Sequence, residues 1–223
     1  MNILVTISKV SDGNMYNRND VLDEAIVENR KMYLQKHNIS IDQTTRVRTN
    51  YNRDDFCRYI EVDEMQKNQG MYDDEVVIAD ALITTDADHA LFLPIADCVG
   101  ATIFDPTHNV LAVAHLGRHS LEQSGAHKII NHLVKNYGST ASELKIWLTP
   151  APGKDVYPIW ALDNKGMKEV TFEQLYAAGI LQQNIVDNPI ETDKNPDYFS
   201  YTEFFNGRRT DDGDYAIVAM MTN

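Results

Sequence analysis

The sequence predicts one α/β domain, residues 1–223, built on mixed β-sheet. Three observations predict it. Short strand-like apolar runs are interspersed with longer segments whose apolar residues recur every three or four positions. Several of the strand-like runs are joined by turns too tight for a crossover helix, so antiparallel neighbours occur in the sheet. No internal repeat or low-complexity linker divides the chain, and its 223 residues suit one large domain.

The elements follow in order. Asn2–Thr6 of "MNILVTISKV" reads as a first strand, because the segment lacks the basic lead, apolar core and small-residue cleavage site of a secretory signal. After the polar loop "SDGNMYN", a helix is expected from about Asp20 to Lys36, with Leu22, Ala25, Ile26 and Tyr33 on one face. Tyr59–Val62 and Val76–Ile78 read as short strands around the polar stretch Glu64–Asp74. Ala90–Ile95 and Ala101–Phe104 are strand-like, "DPTHN" (Asp105–Asn109) is a turn by its Asp-Pro and Asn content, and Val110–His115 is the return strand. "SLEQSGAHKIINHLVKNYG" carries apolar residues at 126, 129, 130, 133 and 134, a helical stripe that Gly138 stops. Leu144–Leu148 is a further buried strand. Thr171 with Gln174 has the spacing of a capping box opening a short helix that closes near Gly179. Ile185–Val186 and Tyr215–Met221 complete the set.

Composition narrows the function classes. Acidic residues outnumber basic ones 33 to 20, and no Lys/Arg cluster offers a nucleic-acid surface. The apolar runs are shorter than the roughly 20 residues that cross a bilayer, so no membrane span is expected. Two cysteines, Cys57 and Cys98, make no disulfide framework, and a reducing, cytoplasmic setting is expected. Cysteine is then a core residue, a nucleophile or a metal ligand.

The segment "PIADCVGATIFDPTHNVLAVAHLGRHS" carries the chemistry. Taken singly, Cys98 reads as a small buried hydrophobe and His115 as a strand-end histidine satisfied by a carbonyl, with His119 and His127 solvated. The turn at Asp105–Asn109 changes that, because it brings Cys98 and His115 to the same end of a hairpin. Thiolate with imidazole suits zinc or copper, and equally a nucleophile with its base. Asp97 either orients a ligand or caps the turn after its strand.

The order of motifs resembles the laccase-domain family, first called multicopper polyphenol oxidases. "DALIT" (Asp80–Thr84), an apolar strand, "ADC" (Ala96–Cys98) and "AHLG" (Ala114–Gly117) resemble its central signature. "VENR" (Val27–Arg30), "EQLYAAGI" (Glu173–Ile180) and "DYFSY" (Asp197–Tyr201) extend the likeness over nearly the whole chain. The resemblance implies an α-β-β-α layered sandwich. It implies purine nucleoside phosphorylase and adenosine deaminase chemistry on adenosine or inosine, with phosphate as co-substrate. It also implies a zinc or copper ion held by Cys98, His115 and an earlier histidine. That histidine is missing: "VRTNYNRDDFCRYIEV" (Val47–Val62) contains none, and Tyr51 falls near its place. His119, across Gly117 from His115, is the candidate substitute ligand. Arg118 is the first candidate for neutralising phosphate and Arg30 a second, against a surface role for each. Other family positions depart too, with Ser8 where arginine is expected and Arg118, His119 and Ser120 in place of Trp-Arg-Gly. The departures fall where a site lining is expected. They keep open a non-catalytic binding protein with a decayed metal site; a copper-dependent polyphenol oxidase and a metal-free hydrolase using Cys98 and His115 are further alternatives. Multicopper chemistry needs many histidines, and the seven here contain no His-x-His pair.

Overall fold

Strands that are apolar on both faces need cover on both sides, and the central strands of this chain are of that kind. The computed structural model describes residues 1–17, 23–72 and 76–222. Its early strands are β1 (Asn2–Ile7), β2 (Thr44–Arg48), β3 (Tyr59–Glu61), β4 (Val77–Ile78), β5 (Ala81–Thr84) and β6 (Ala90–Ile95). They are followed by β7 (Val99–Asp105), β8 (Val110–Leu116), β9 (Lys145–Leu148), β10 (Pro158–Ile159), β11 (Lys165–Gly166), β12 (Ile185–Asp187) and β13 (Tyr215–Thr222). One sheet has the order β1-β13-β6-β2-β4, the other β12-β9-β7-β8-β5-β3, and β10 pairs only with β11. Both large sheets are mixed: β2 runs parallel to β6 while β13 runs antiparallel to it, and β3 runs parallel to β5 while β8 runs antiparallel to it.

The period-2 alternation of side chains assigns the layers. On β13, Tyr215, Ile217, Ala219 and Met221 join Leu91, Leu93 and Ile95 of β6 and Leu111 and Val113 of β8 in a core between the two sheets. The alternate residues Ala216, Val218 and Met220 face outward with Phe92, under Tyr33 and Leu34 of helix α1 (Glu24–Lys36). On the far side, Ala101 and Ile103 of β7 and Ala112 and Ala114 of β8 pack beneath α3 (Gly125–Tyr137) and α4 (Met167–Ala177). The expected α-β-β-α sandwich forms, one domain with three apolar layers. Among the described residues no helix is long and apolar enough to cross a membrane.

Several expectations shift. Helix α1 is capped at Asp23, whose carboxylate accepts the Ala25 N–H at 3.0 Å; residues 20–22 of the expected start lie outside the described residues. Ala25 is exposed rather than on the buried face. The expected helix after His115 is two helices, α2 (Arg118–Glu122) and α3, separated where Ser124 takes a left-handed conformation, φ 62°. Val134 falls off the buried stripe and is 39% exposed. Thr171 does not open α4. Glu169 accepts the Gly166 N–H at 3.3 Å and starts the helix earlier, so Thr171 lies inside it with its hydroxyl on the Met167 carbonyl at 2.8 Å. Gln174 instead reaches out of the helix, donating to the Leu121 carbonyl and accepting the Ala126 N–H.

Candidate functional site

The turn between β7 and β8 fixes the register that builds the site. Asp105 accepts the N–H groups of Thr107 and His108, pairs with Val110, and so places Gly100 opposite His115. Cys98 stands two residues before Gly100 and therefore projects from the same face as His115's cross-strand partner. That face looks toward the first sheet. At this end the sandwich opens into a cavity of about 740 Å³ lined by Cys98, His115, Gly117, Arg118 and His119. Arg46, Arg48, Tyr51, Phe56, Tyr157 and Tyr201 complete much of its wall. Its size lies in the range of small-ligand sites, about 300–1,000 Å³.

The absence of a side chain at Gly117 leaves room for the pair. A Cβ there would stand 2.6 Å from His115 Cε1, 3.1 Å from His115 Nε2 and 3.2 Å from Cys98 Sγ. Thiol and imidazole thus converge on one point. His115 is nearly buried, its backbone N–H donates to the Asp80 carbonyl at 2.8 Å, and Arg58 holds the Asp80 carboxylate through two guanidinium nitrogens. Burial pulls the His115 pKa down to about 4, with the Asp80 charge opposing and His119 reinforcing the shift. The ring is neutral at pH 7, with a nitrogen lone pair available. Cys98 is half-buried and belongs to no disulfide.

Around the pair, the residues expected to complete a metal site take other positions. Tyr51 does face His115, ring centroids 6.3 Å apart and nearly perpendicular. His119 lies in α2 with its ring stacked on Phe56 at 4.6 Å, one nitrogen 3.2 Å from Arg118 and the other 3.6 Å from Glu122. Among the described residues no group of three His, Cys, Asp or Glu side chains is placed to hold a metal ion. A catalytic zinc normally has about three protein ligands, and the Cys98–His115 pair alone does not supply that set.

Asp97 lines the cavity, and its carboxylate bonds distant segments rather than the turn after its strand. It is 3% exposed and held at φ 59°, a left-handed conformation that Asp tolerates better than most residues. Its carboxylate accepts the Thr192 hydroxyl at 2.7 Å, the Ser200 hydroxyl at 2.9 Å and the Thr202 N–H at 2.6 Å. These bonds tie the start of α5 (Tyr201–Phe205) to the loop that carries Cys98. Arg118 is exposed at the N-terminus of α2 and lines the cavity. Tyr157 lines it too; burial raises its phenol pKa, with Cys98 adding and Arg118 opposing.

Arg30 corrects its expected surface position. It is fully buried, donating to the Met15, Gly70 and Met71 carbonyls, and does not line the cavity. Burial, with Arg46 nearby, lowers its pKa to about 9. Three carbonyls converging on one guanidinium make it a structural clasp. His127 lies in α3, half-buried rather than fully solvated, and hydrogen-bonded to Asn131. Sequence reading passed over Phe56, Tyr157 and Tyr201. Tyr201 had a signal as the last residue of the "DYFSY" motif, whereas Phe56 and Tyr157 show only aromatic character in polar segments, which becomes specific when folding assembles the wall.

Comparison with known proteins agrees with this frame. A family model described as multi-copper polyphenol oxidoreductase laccase matches residues 7–165. No curated protein sequence matches the chain. Among solved structures, the hypothetical protein YfiH of Bacillus licheniformis superposes with a TM-score of 0.84 at 17% identity, over 99% of this chain and 93% of that one. YlmD of Geobacillus stearothermophilus gives 0.80 at 18% identity, over 94% and 85%. A Neisseria meningitidis protein gives 0.72 at 14%, over 100% and 95%. At these identities the structures share the fold alone; the match over residues 7–165 shows that the chain belongs to the multi-copper polyphenol oxidoreductase laccase family.

Proposed function

We propose that the chain is a purine nucleoside phosphorylase-like enzyme with a weakened metal site, acting on adenosine or inosine. The observation that carries the reading is the convergence of Cys98 and His115 beside Gly117 at the wall of a roomy, partly aromatic cavity. Tyr51 and Tyr157 supply ring faces for a planar base, and the sandwich core behind the pair keeps that end of the cavity from bulk water. Arg118 lines the cavity and is the cation assigned in this reading to an incoming phosphate. In phosphorolysis a phosphate oxygen bonds to the ribose C1′ while the C1′–N bond breaks. The electron pair leaves with the base, which takes a proton from the phosphate. Arg118 offsets the phosphate charge during that exchange, and neutral His115 accepts or donates a hydrogen bond to hold the nucleoside in line.

Zinc or copper fits this donor set poorly. The family's deaminase activity draws on a metal-activated water, so deamination of adenosine is the activity expected to suffer most. Polyphenol oxidation through several copper ions would need donor clusters that the described residues do not form. A second reading is favoured by one observation. His119 is committed to Phe56, Arg118 and Glu122 rather than to the Cys98–His115 pair, as a non-catalytic nucleoside-binding protein with a decayed site would allow.

The test is release of hypoxanthine and ribose 1-phosphate from inosine, with and without phosphate, by wild type, Cys98→Ala and His115→Ala. Phosphate-dependent product lost in both variants supports the enzyme. Saturable inosine binding without any product supports the binding protein. Equal product from wild type and both variants places the activity elsewhere.

A further inference from the structure

Beside the Cys98–His115 cavity lies a second one of about 340 Å³, and the two share Arg118, Tyr157, Tyr201 and Thr202 in their walls. Its outer wall is aromatic. Trp160 is 79% exposed and Phe205 75% exposed, and both line it. A scattered exposed hydrophobe needs no explanation. Two exposed large aromatics on one hollow that shares its wall with the site are different, because each adds a planar face beside that site.

The hollow is also held by the elements that hold the site. Trp160 directly follows Ile159, which is fully buried beneath it in the chain. Phe205 lies one turn after Tyr201 on α5, ring centroids 6.0 Å apart. The start of α5 is fixed by Asp97, the neighbour of Cys98. The aromatic faces are therefore positioned relative to the Cys98–His115 pair by folded structure. Arg118 stands at the junction, a cation in a chain of net charge −13.

We propose that the Trp160–Phe205 hollow is a second aromatic subsite, stacking a planar ring carried by the same ligand whose first ring enters the Cys98–His115 cavity, with an anionic link between the rings passing Arg118. A dinucleoside phosphate has this chemistry: two stacking bases and one phosphodiester charge. The inference rests on the nucleoside reading of the deeper cavity and extends the ligand beyond it.

The test is a calorimetric titration of the whole chain with adenosine and with adenylyl-adenosine, alongside Trp fluorescence. The other tryptophan, Trp147, packs into the inter-sheet core, so a ligand-dependent quench reports chiefly on Trp160. Stacking on an exposed aromatic is sequence-tolerant and worth about tenfold in affinity. Adenylyl-adenosine is expected to bind about tenfold tighter than adenosine and to quench the emission. Trp160→Ala and Phe205→Ala should each reduce that advantage while leaving adenosine affinity as in wild type. Adenylyl-adenosine binding no tighter than adenosine, or an advantage that survives both substitutions, overturns the subsite and leaves the nucleoside reading standing. Trp160-dependent binding of adenylyl-adenosine without measurable adenosine binding supports the hollow and sinks the nucleoside reading of the deeper cavity. Sedimentation on the same samples covers a second copy of the chain as occupant. A dimer that Trp160→Ala dissociates would make the hollow a self-association surface and overturn the proposal.

Discussion

Cys98 Sγ and His115 Nε2 stand 3.2 and 3.1 Å from the single point that a Cβ on Gly117 would occupy. Gly117→Ala should therefore force the imidazole aside, with the overpacking cost of about 1–3 kcal/mol seen when a methyl is pressed into a filled space. Urea unfolding measures the loss. Unchanged stability together with unchanged inosine binding would mean that the two side chains do not converge at this glycine.

Tyr51 faces His115 where a third donor is needed. Wild type should bind zinc weakly, Tyr51→His should tighten binding by at least tenfold, and His119→Ala should leave the wild-type value in place. Zinc calorimetry on the three proteins decides. Tight wild-type binding abolished by His119→Ala would show that His119 leaves Phe56 to ligate.

His115 sets a pH dependence. An unfolded histidine takes up its proton near pH 6.5, whereas His115 in the fold does so near 4. Between those values the unfolded state binds more protons, so stability falls as pH drops from about 6.5 to 4, by an amount on the order of 3 kcal/mol for this residue. His89, buried and likewise lowered to about 4, contributes in the same direction. His115→Asn should flatten the curve of unfolding free energy against pH in that window and leave the His89 part. A curve of unchanged slope would mean that His115 is solvated.

Asp97 and Arg30 are predicted to be structural. Removing the Asp97 carboxylate leaves the Thr192 and Ser200 hydroxyls and the Thr202 N–H without their acceptor, at about 1–3 kcal/mol for each group left unsatisfied. Asp97→Ala should lower the melting temperature by at least about 6 °C, and Asp97→Asn by less, because one acceptor oxygen remains. Arg30→Lys should also destabilise, since an ammonium does not reproduce the fork that spans the Met15 and Met71 carbonyls. Its inosine and phosphate dependence should match wild type. A phosphate effect lost in Arg30→Lys would return this residue to the site.

The layered fold was legible because its central strands announce themselves. Ala90–Ile95 matches β6 residue for residue, and the Asp105–Asn109 turn set the β7–β8 register that joins Cys98 to His115. Elements with a mixed signal were missed. Thr44–Arg48 is a central strand of five residues, four of them buried, yet it reads as polar because Arg46 spends its guanidinium on the Gly70 carbonyl and the Tyr16 ring. Helix α5 has one buried residue, Glu203, and is anchored through Ser200 and Asp97 rather than by an apolar stripe. The burial of Arg30 was invisible for a related reason: its partners are backbone carbonyls, which leave no trace in side-chain spacing.

The central claim is that a purine nucleoside occupies the cavity whose wall carries Cys98, His115 and Gly117. Calorimetric titration of inosine into wild type and into folded Gly117→Ala, at fixed phosphate, tests it most directly. Saturable binding in wild type that weakens at least tenfold in Gly117→Ala is the expected result. No saturable heat in wild type, or equal affinity in the two proteins, would contradict it.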